Sequence, residues 1–425
     1  MVGMPDRLNC SGRSDKEERL RELAYERELD STKIAIKNII NDTNKKGLKG
    51  LDALLSTFSR ISGTGFNIVG EEYLREEMKG LDYKLKAVED LASDQRVYKN
   101  IDKTKELGIF ISAAINNVVK PGEKIYINSP KPIDYLFLRL KDAEGHVNIA
   151  GSELGSEAEN SKIYAEKAGN FAGTEMRGCE FHVNIAGDYL GSGTINSKIF
   201  TKTAGYKTGR GMIGSEMHIY KAGEDLGINA IGSKIYVYEA GNFLGQNTKG
   251  CKIFAKKAGK WLANYAKNGE IHFGEAGEES LRNINHCNVY GKKAGDNFGE
   301  DAYKSKIYVD ELGNNACYRM QDSELHFKKI NGKLGRWYDN KALSHNKVYK
   351  GESRYILPNV KHGLEFTKLV GYTLILLPVA LPVAAYVRWY RKNRCIYCTD
   401  WSVYKLLTAL RGFPMNHNAY PPLFK

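Results

Sequence analysis

The chain has 425 residues, of which 42% are hydrophobic and 27% charged, with a formal net charge of +13. That balance excludes a disordered chain and a small disulfide-stapled domain, and predicts two or three folded units. The charge is not spread evenly: residues 347–425 carry 12 Lys and Arg against 3 Asp and Glu. An excess concentrated beside an apolar segment points to a membrane surface and away from a nucleic-acid groove.

After Met1 comes a polar run through Arg13, which predicts no secretory leader. Ser14, with Glu17 three residues on, reads as a capping box, and Leu20, Leu23 and Ala24 follow at helical spacing. Helical patterns continue near 32–42, 47–60, 70–95 and 103–119, so residues 1–120 read as a helical domain. Gly63-Thr-Gly65 lacks the Gly-Lys-Ser/Thr of a phosphate loop and reads as a turn. Ile125-Tyr-Ile127 and Tyr135 to Leu140 are strand-like but fall outside the repeat that follows, as an entry coil and cap.

From Ala150 the chain is a repeat. Gly151, Gly169, Gly187, Gly205, Gly223, Gly241, Gly259, Gly277, Gly295 and Gly313 recur at a spacing of 18, all but the last after an Ala. A unit of this kind cannot bury its own apolar face, so the period specifies a solenoid. The column at Ile163, Phe181, Ile199, Met217, Ile235 and onward is always apolar, and the residue two further on mostly so, which makes a strand with one buried face. The Ala-Gly pair turns the chain, because glycine tolerates positive φ and close backbone approach. Leu154, Leu190, Leu226, Leu244 and Leu262, ahead of a second glycine column, form a further inward layer. The fold class is therefore mainly β: a single-stranded β-helix of ten units, roughly 50 Å long at one rung per coil.

Units such as Ala222-Gly223-Glu-Asp-Leu226-Gly227, followed by Gly232-Ser233-Lys-Ile235-Tyr-Val237, resemble the GXGXG repeats in the C-terminal domain of the glutamate synthase large subunit. They are also similar to the repeat-bearing subunit of formylmethanofuran dehydrogenase. The resemblance covers roughly residues 140–330 and implies a right-handed coil with a structural role; an 18-residue turn also suits a left-handed hexapeptide helix, which ranks second because the apolar columns do not recur every six residues. It carries no catalytic residues, because residues 1–105 have room for neither an amidotransferase domain nor a flavin barrel.

Two columns face outward. Lys162, Glu180, Lys198, Glu216, Lys234, Lys252, Glu270, Asn288, Lys306 and Glu324 make a charge ladder. Beside it run Tyr164, His182, Phe200, His218, Tyr236, Phe254, His272, Tyr290, Tyr308 and His326, with Glu accompanying His and Lys usually accompanying Tyr or Phe. His182 and His218 lie two rungs apart, about 10 Å, against metal–nitrogen bonds of about 2 Å, so no metal is expected. Read as a face that something covers, this column is the candidate surface for a protein partner or for self-association; its alternative is plain stacking between rungs. Cys179, Cys251 and Cys287 occupy a small-residue corner column, too far apart for disulfides.

The coil is expected to end by Tyr355 to Pro358, giving a β-helix over 121–357 with strict repeats at about 142–327. Leu369 to Val387 is uncharged and flanked by Lys368 and Arg388; its length spans a hydrocarbon core. Residues 366–390 are expected to form a transmembrane or re-entrant segment, and 391–425 a basic tail that meets the bilayer. Cys395-Ile-Tyr-Cys398 is a lone CxxC, read as free or lipidated thiols rather than as a zinc site. The sequence has no nucleophile motif, dinucleotide fingerprint or metal-ligand pair, so no cofactor or enzyme activity is expected. The resulting expectation is a membrane-anchored, non-catalytic scaffold with its head on the cytoplasmic side. A non-catalytic subunit of a redox complex is the alternative.

Overall fold

A computed structural model of the chain describes residues 11–62, 64, 70–98, 104–335 and 346–350. Five helices come first: α1 (Ser11–Lys45), α2 (Gly50–Ile61), α3 (Gly70–Met78), α4 (Leu85–Ser93) and α5 (Thr104–Val118). The helix expected to start at Ser14 and the pattern at 32–42 are one element, which begins at Ser11, ahead of the expected box. The 70–95 pattern is two helices: around Gly80 the chain leaves α3 to bury Leu81 and Tyr83. α5 is buried over Glu106–Ile115, because it lies between the other helices and the first coil. At Gly108 its backbone approaches so closely that a Cβ would fall 1.6 Å from the Asp134 carbonyl oxygen. Asn116 Nδ2 donates to the Leu138 carbonyl at 2.8 Å, and Ser112 Oγ to that of Tyr135 at 2.8 Å. The helical domain thus closes one end of the solenoid, where an open core would otherwise meet water.

The solenoid is a single 13-stranded parallel sheet in sequence order. Its strands are β1 (Lys124–Ile127), β2 (Glu144–Ile149), β3 (Lys162–Ala168), β4 (Glu180–Ala186), β5 (Lys198–Ala204), β6 (Glu216–Ala222) and β7 (Lys234–Ala240). They continue with β8 (Lys252–Ala258), β9 (Glu270–Ala276), β10 (Asn288–Ala294), β11 (Lys306–Leu312), β12 (Glu324–Ile330) and β13 (Lys347–Lys350). Ile163, Phe181, Ile199, Ile235 and Ile253 have no exposed surface, and neither do Leu154, Leu190 and Leu244 from the far side of each coil. These columns fill the interior.

The strict register is longer than expected. Ile133–Leu140 is the first coil of the repeat: Glu144 pairs with Lys162, and Tyr135, Phe137 and Arg139 share the left-handed backbone of Glu153, Gly155 and Glu157. Ile133 stands one period before Gly151, and Phe137 where most later coils have their second glycine, which hides the period. The ends alone are offset differently, Lys124 pairing with Glu144 and Glu324 with Lys347. The coil boundary expected at Tyr355 to Pro358 lies outside the described residues, as do 366–390 and the basic tail. Among the described residues no helix is long and apolar enough to cross a membrane.

The two glycine columns have different physical origins. No glycine of the Gly151–Gly313 column has positive φ, which corrects that part of the expectation. Close approach is the requirement instead: a Cβ on Gly223 would sit 2.9 Å from the carbonyl carbon of Gly205, one rung below. Positive φ belongs to the second column, as at Gly227 (φ 68), where a Cβ would also meet Ile235 Cδ1 at 2.2 Å. Gly223→Ala is therefore expected to destabilise by about 1–3 kcal/mol, since two backbones must separate. Gly211 has positive φ but open space, and its column carries Asn229 and Asn247 in the same conformation. Gly211→Asn is expected to stay within about 0.5 kcal/mol of the parent chain. Guanidinium unfolding of both variants checks the pair, and equal effects would contradict the assignment.

Candidate functional site

The outward aromatic column is a continuous stack in which every strand supplies one ring. From Tyr126 on β1 to Tyr349 on β13, adjacent rings lie 4.2–5.5 Å apart with planes within 21° of parallel. The cause is the register. A parallel rung rise of about 4.8 Å places identical outward positions one above another, and flat rings fill that spacing at offset-stacking distance. Three members lie beyond the column read from the sequence. His146 is one period before Tyr164 and carries the same Glu-x-His signature, which makes it findable, whereas Tyr126 and Tyr349 fall on the two offset end rungs.

The Glu–His coupling has a direct explanation. In all five Glu-x-His strands the histidine Nε2 meets the carboxylate two residues earlier at 2.6–2.8 Å. A carboxylate only accepts, so Nε2 carries the proton and donates it. The same glutamates face lysines of adjacent rungs, Lys252 to Glu270 at 2.9 Å and Lys234 to Glu216 at 3.6 Å. Glu144, Glu180, Glu216 and Glu270 thus serve a ring on their own strand and a lysine on an adjacent rung. Where Lys takes the Glu position the ring needs no acceptor, and Tyr or Phe suffices.

The column faces away from the core, yet its centre is not open. His182 and His218 have no exposed surface and Phe200 retains 1%, whereas Tyr126 and Tyr349 at the ends are 55% and 43% exposed. The middle of the expected partner face is therefore buried. Tyr164, Tyr236, Phe254, His272, Tyr290 and Tyr308 are half-buried, and His326 is buried near the far end.

Burial pushes His218 below the usual imidazole range. Its bond to Glu216 opposes this, while Lys198 and Lys234 on the adjacent rungs reinforce it. Nδ1 of His218 is buried and takes no hydrogen bond, so a second proton would have no acceptor. Glu216 is held below the ordinary carboxylate range by the hydrogen bond from His218, against burial. For Glu180 burial raises the carboxyl, but the His182 bond and the flanking lysines outweigh it.

The corner column is a second ladder. The Cys179 amide donates to Ser197 Oγ at 3.1 Å, that of Ser197 to Ser215 at 3.2 Å, and that of Ser233 to Cys251 Sγ at 3.4 Å. The cysteines therefore replace serine as acceptors. Burial raises the Cys179 thiol to about 11, which makes it inert.

A cavity of about 560 Å³ lies between the helical cap and the first coils and is lined by Arg75, Asn116, Arg139, Lys141, Glu157 and Arg177 among others. Arg139 binds Glu157 at 2.9 Å and Lys141 lies 3.5 Å from Glu159, so much of its charge is internally paired. Among the described residues no three His, Cys, Asp or Glu side chains converge as a metal site. Comparison with known families, characterised proteins and solved structures returns no match. The likeness to glutamate synthase and formylmethanofuran dehydrogenase thus rests on the repeat residues alone.

The stack sets a pH dependence whose sign is fixed. Unfolded, His218 titrates near about 6.5; folded, it titrates lower, so the unfolded chain binds more protons below that value and stability falls on acidification. Below about 4.5 the depressed Glu216 adds a second loss, each group contributing up to about 1.4 kcal/mol per pH unit within its window. Denaturation between pH 8 and 4 is expected to show a plateau above about 7 and a decline below about 6.5. In His218→Phe, which copies the Phe200 and Phe254 of the same column, the first decline is expected to be shallower. A parent profile flat to about pH 5 would contradict this.

Proposed function

We propose that the protein is a non-catalytic scaffold: a rigid β-helix carrying a helical domain, attached to a membrane through its C-terminal segment. The observation that carries this reading is the unbroken register of 13 strands around a filled core, about 58 Å from first rung to last at about 4.8 Å per rung. In such a stack each coil touches only its neighbours, so length is set by coil number and bending requires several ladders to yield together. The coil is taken as right-handed, the usual hand of a crossover between parallel strands.

Attachment rests on the uncharged stretch 369–387 and the basic residues around it, with the head on the cytoplasmic side. A partner face is confined to the half-buried rings from Tyr236 to Tyr308 and the ladder beside them, because Phe200 and its neighbours are closed over. Nothing among the described residues favours a redox subunit.

Full-length protein is expected in the membrane fraction and resistant to high-salt washing, since screening weakens a basic patch but not an apolar span. A chain ending at residue 365 is expected to be soluble with an unchanged circular dichroism spectrum per coil residue. Release of the full-length protein by salt alone, or membrane retention of the truncated chain, would overturn the attachment.

A further inference from the structure

α1 outruns the domain it belongs to. Its buried side begins at Thr32 and continues through Ile36, Ile40 and Thr43, whereas Arg21–Glu28, Asp30 and Ser31 are exposed. The stretch from 18 to 31 extends roughly 20 Å at about 1.5 Å per residue. On it Leu23 is 45% exposed, and Ile34, on the side away from the helical core, is 61% exposed. At about 100° per residue, Leu23, Arg27, Asp30 and Ile34 fall within about 40° of one line along the helix. The spacing is that of a coiled-coil seam, alternating steps of three and four residues. Arg27 and Asp30 are both exposed, and neither has an ion-pair partner among the described residues.

The order of these residues selects the occupant. In a parallel pair Arg27 would face Arg27 and Asp30 would face Asp30, which is repulsive. In an antiparallel pair about a two-fold axis between residues 28 and 29, Leu23 faces Ile34 of the second copy and Arg27 faces its Asp30. Glu26, on one flank of the stripe, then faces Lys33 of the second copy, whose ammonium now rests 5.7 Å from the Tyr73 ring. Every contact occurs twice and every charge meets its opposite, as an isologous interface requires. We propose that the projecting half of α1 is a dimerisation arm, pairing antiparallel with the same segment of a second copy. The interface is small, and exposed charge pairs add little each, so the dimer is a weak, reversible one.

Sedimentation of the full-length chain in mild detergent across a micromolar concentration range is expected to show a monomer–dimer equilibrium. Arg27→Glu or Asp30→Arg alone should weaken it at least about tenfold, because like charges then meet twice, and the two together in one chain should restore it. In a background with Cys10, Cys395 and Cys398 changed to Ser, Leu23→Cys and Ile34→Cys chains should form a disulfide dimer only when mixed. A parent chain that stays monomeric would overturn the proposal. So would single reversals that dimerise like the parent, a double reversal as weak as the singles, or Leu23→Cys chains that cross-link among themselves, the mark of a parallel pair.

Discussion

One constraint governs the solenoid: each coil sits directly on the last in unbroken register, so a residue's nearest neighbour outside its own coil is its own column. No position can be chosen alone. Gly223 must be small because Gly205 is beneath it. Ser197 must accept a hydrogen bond because Cys179 presents an amide to it. A flat ring recurs at the Tyr164 column because the rung spacing is close to ring-stacking distance. A side chain that suits one rung but not its neighbours disturbs two interfaces at once, which is why so few residue types share each column.

The turn segments show what the register costs and how the cost is met. Phe171, Tyr189, Phe243 and Trp261 all have positive φ near 60°, a conformation costing about 1–2 kcal/mol for a residue with a Cβ. In this backbone, amides two residues apart point to opposite rungs: Phe171 N donates forward to Asp188 and Gly173 N backward to Leu154, at 2.8 and 2.7 Å. Rings at the strained positions also meet each other, Phe171 on Tyr189 at 4.8 Å and Phe243 on Trp261 at 4.5 Å. Both compensations come from the neighbouring coil and neither from the coil itself. A single unit would bear the strain without the bonds, so the fold has meaning only as a stack.

The same constraint explains which parts are legible in the sequence. Inward columns such as Ile163 and Leu154 are readable because burial demands apolar residues at every rung. The Glu-x-His coupling is visible as a correlation, but its chemistry appears only once the carboxylate and Nε2 are seen to meet. The left-handed turns are hidden, since Phe, Tyr and Trp are not residues from which positive φ is inferred. The first coil is hidden because Ile133 and Phe137 stand at the positions of the two glycine columns, and the two stack ends because their rungs are offset. In the helical domain, side-chain periodicity places the helices but not their breaks, which tertiary contacts at Leu81 and Tyr83 decide.

The central claim is that register, more than the identity of any one coil, holds the rod together, and a matched pair of deletions tests it. Removing residues 187–222, two whole coils, joins β4 to β7 with Glu180 beside Lys234 and His182 beside Tyr236, preserving every column. Removing 187–221 leaves one residue more and shifts every later column out of line. The first variant is predicted to fold and unfold cooperatively near the parent midpoint, and the second to lose the cooperative transition. Two variants with indistinguishable unfolding would contradict the account.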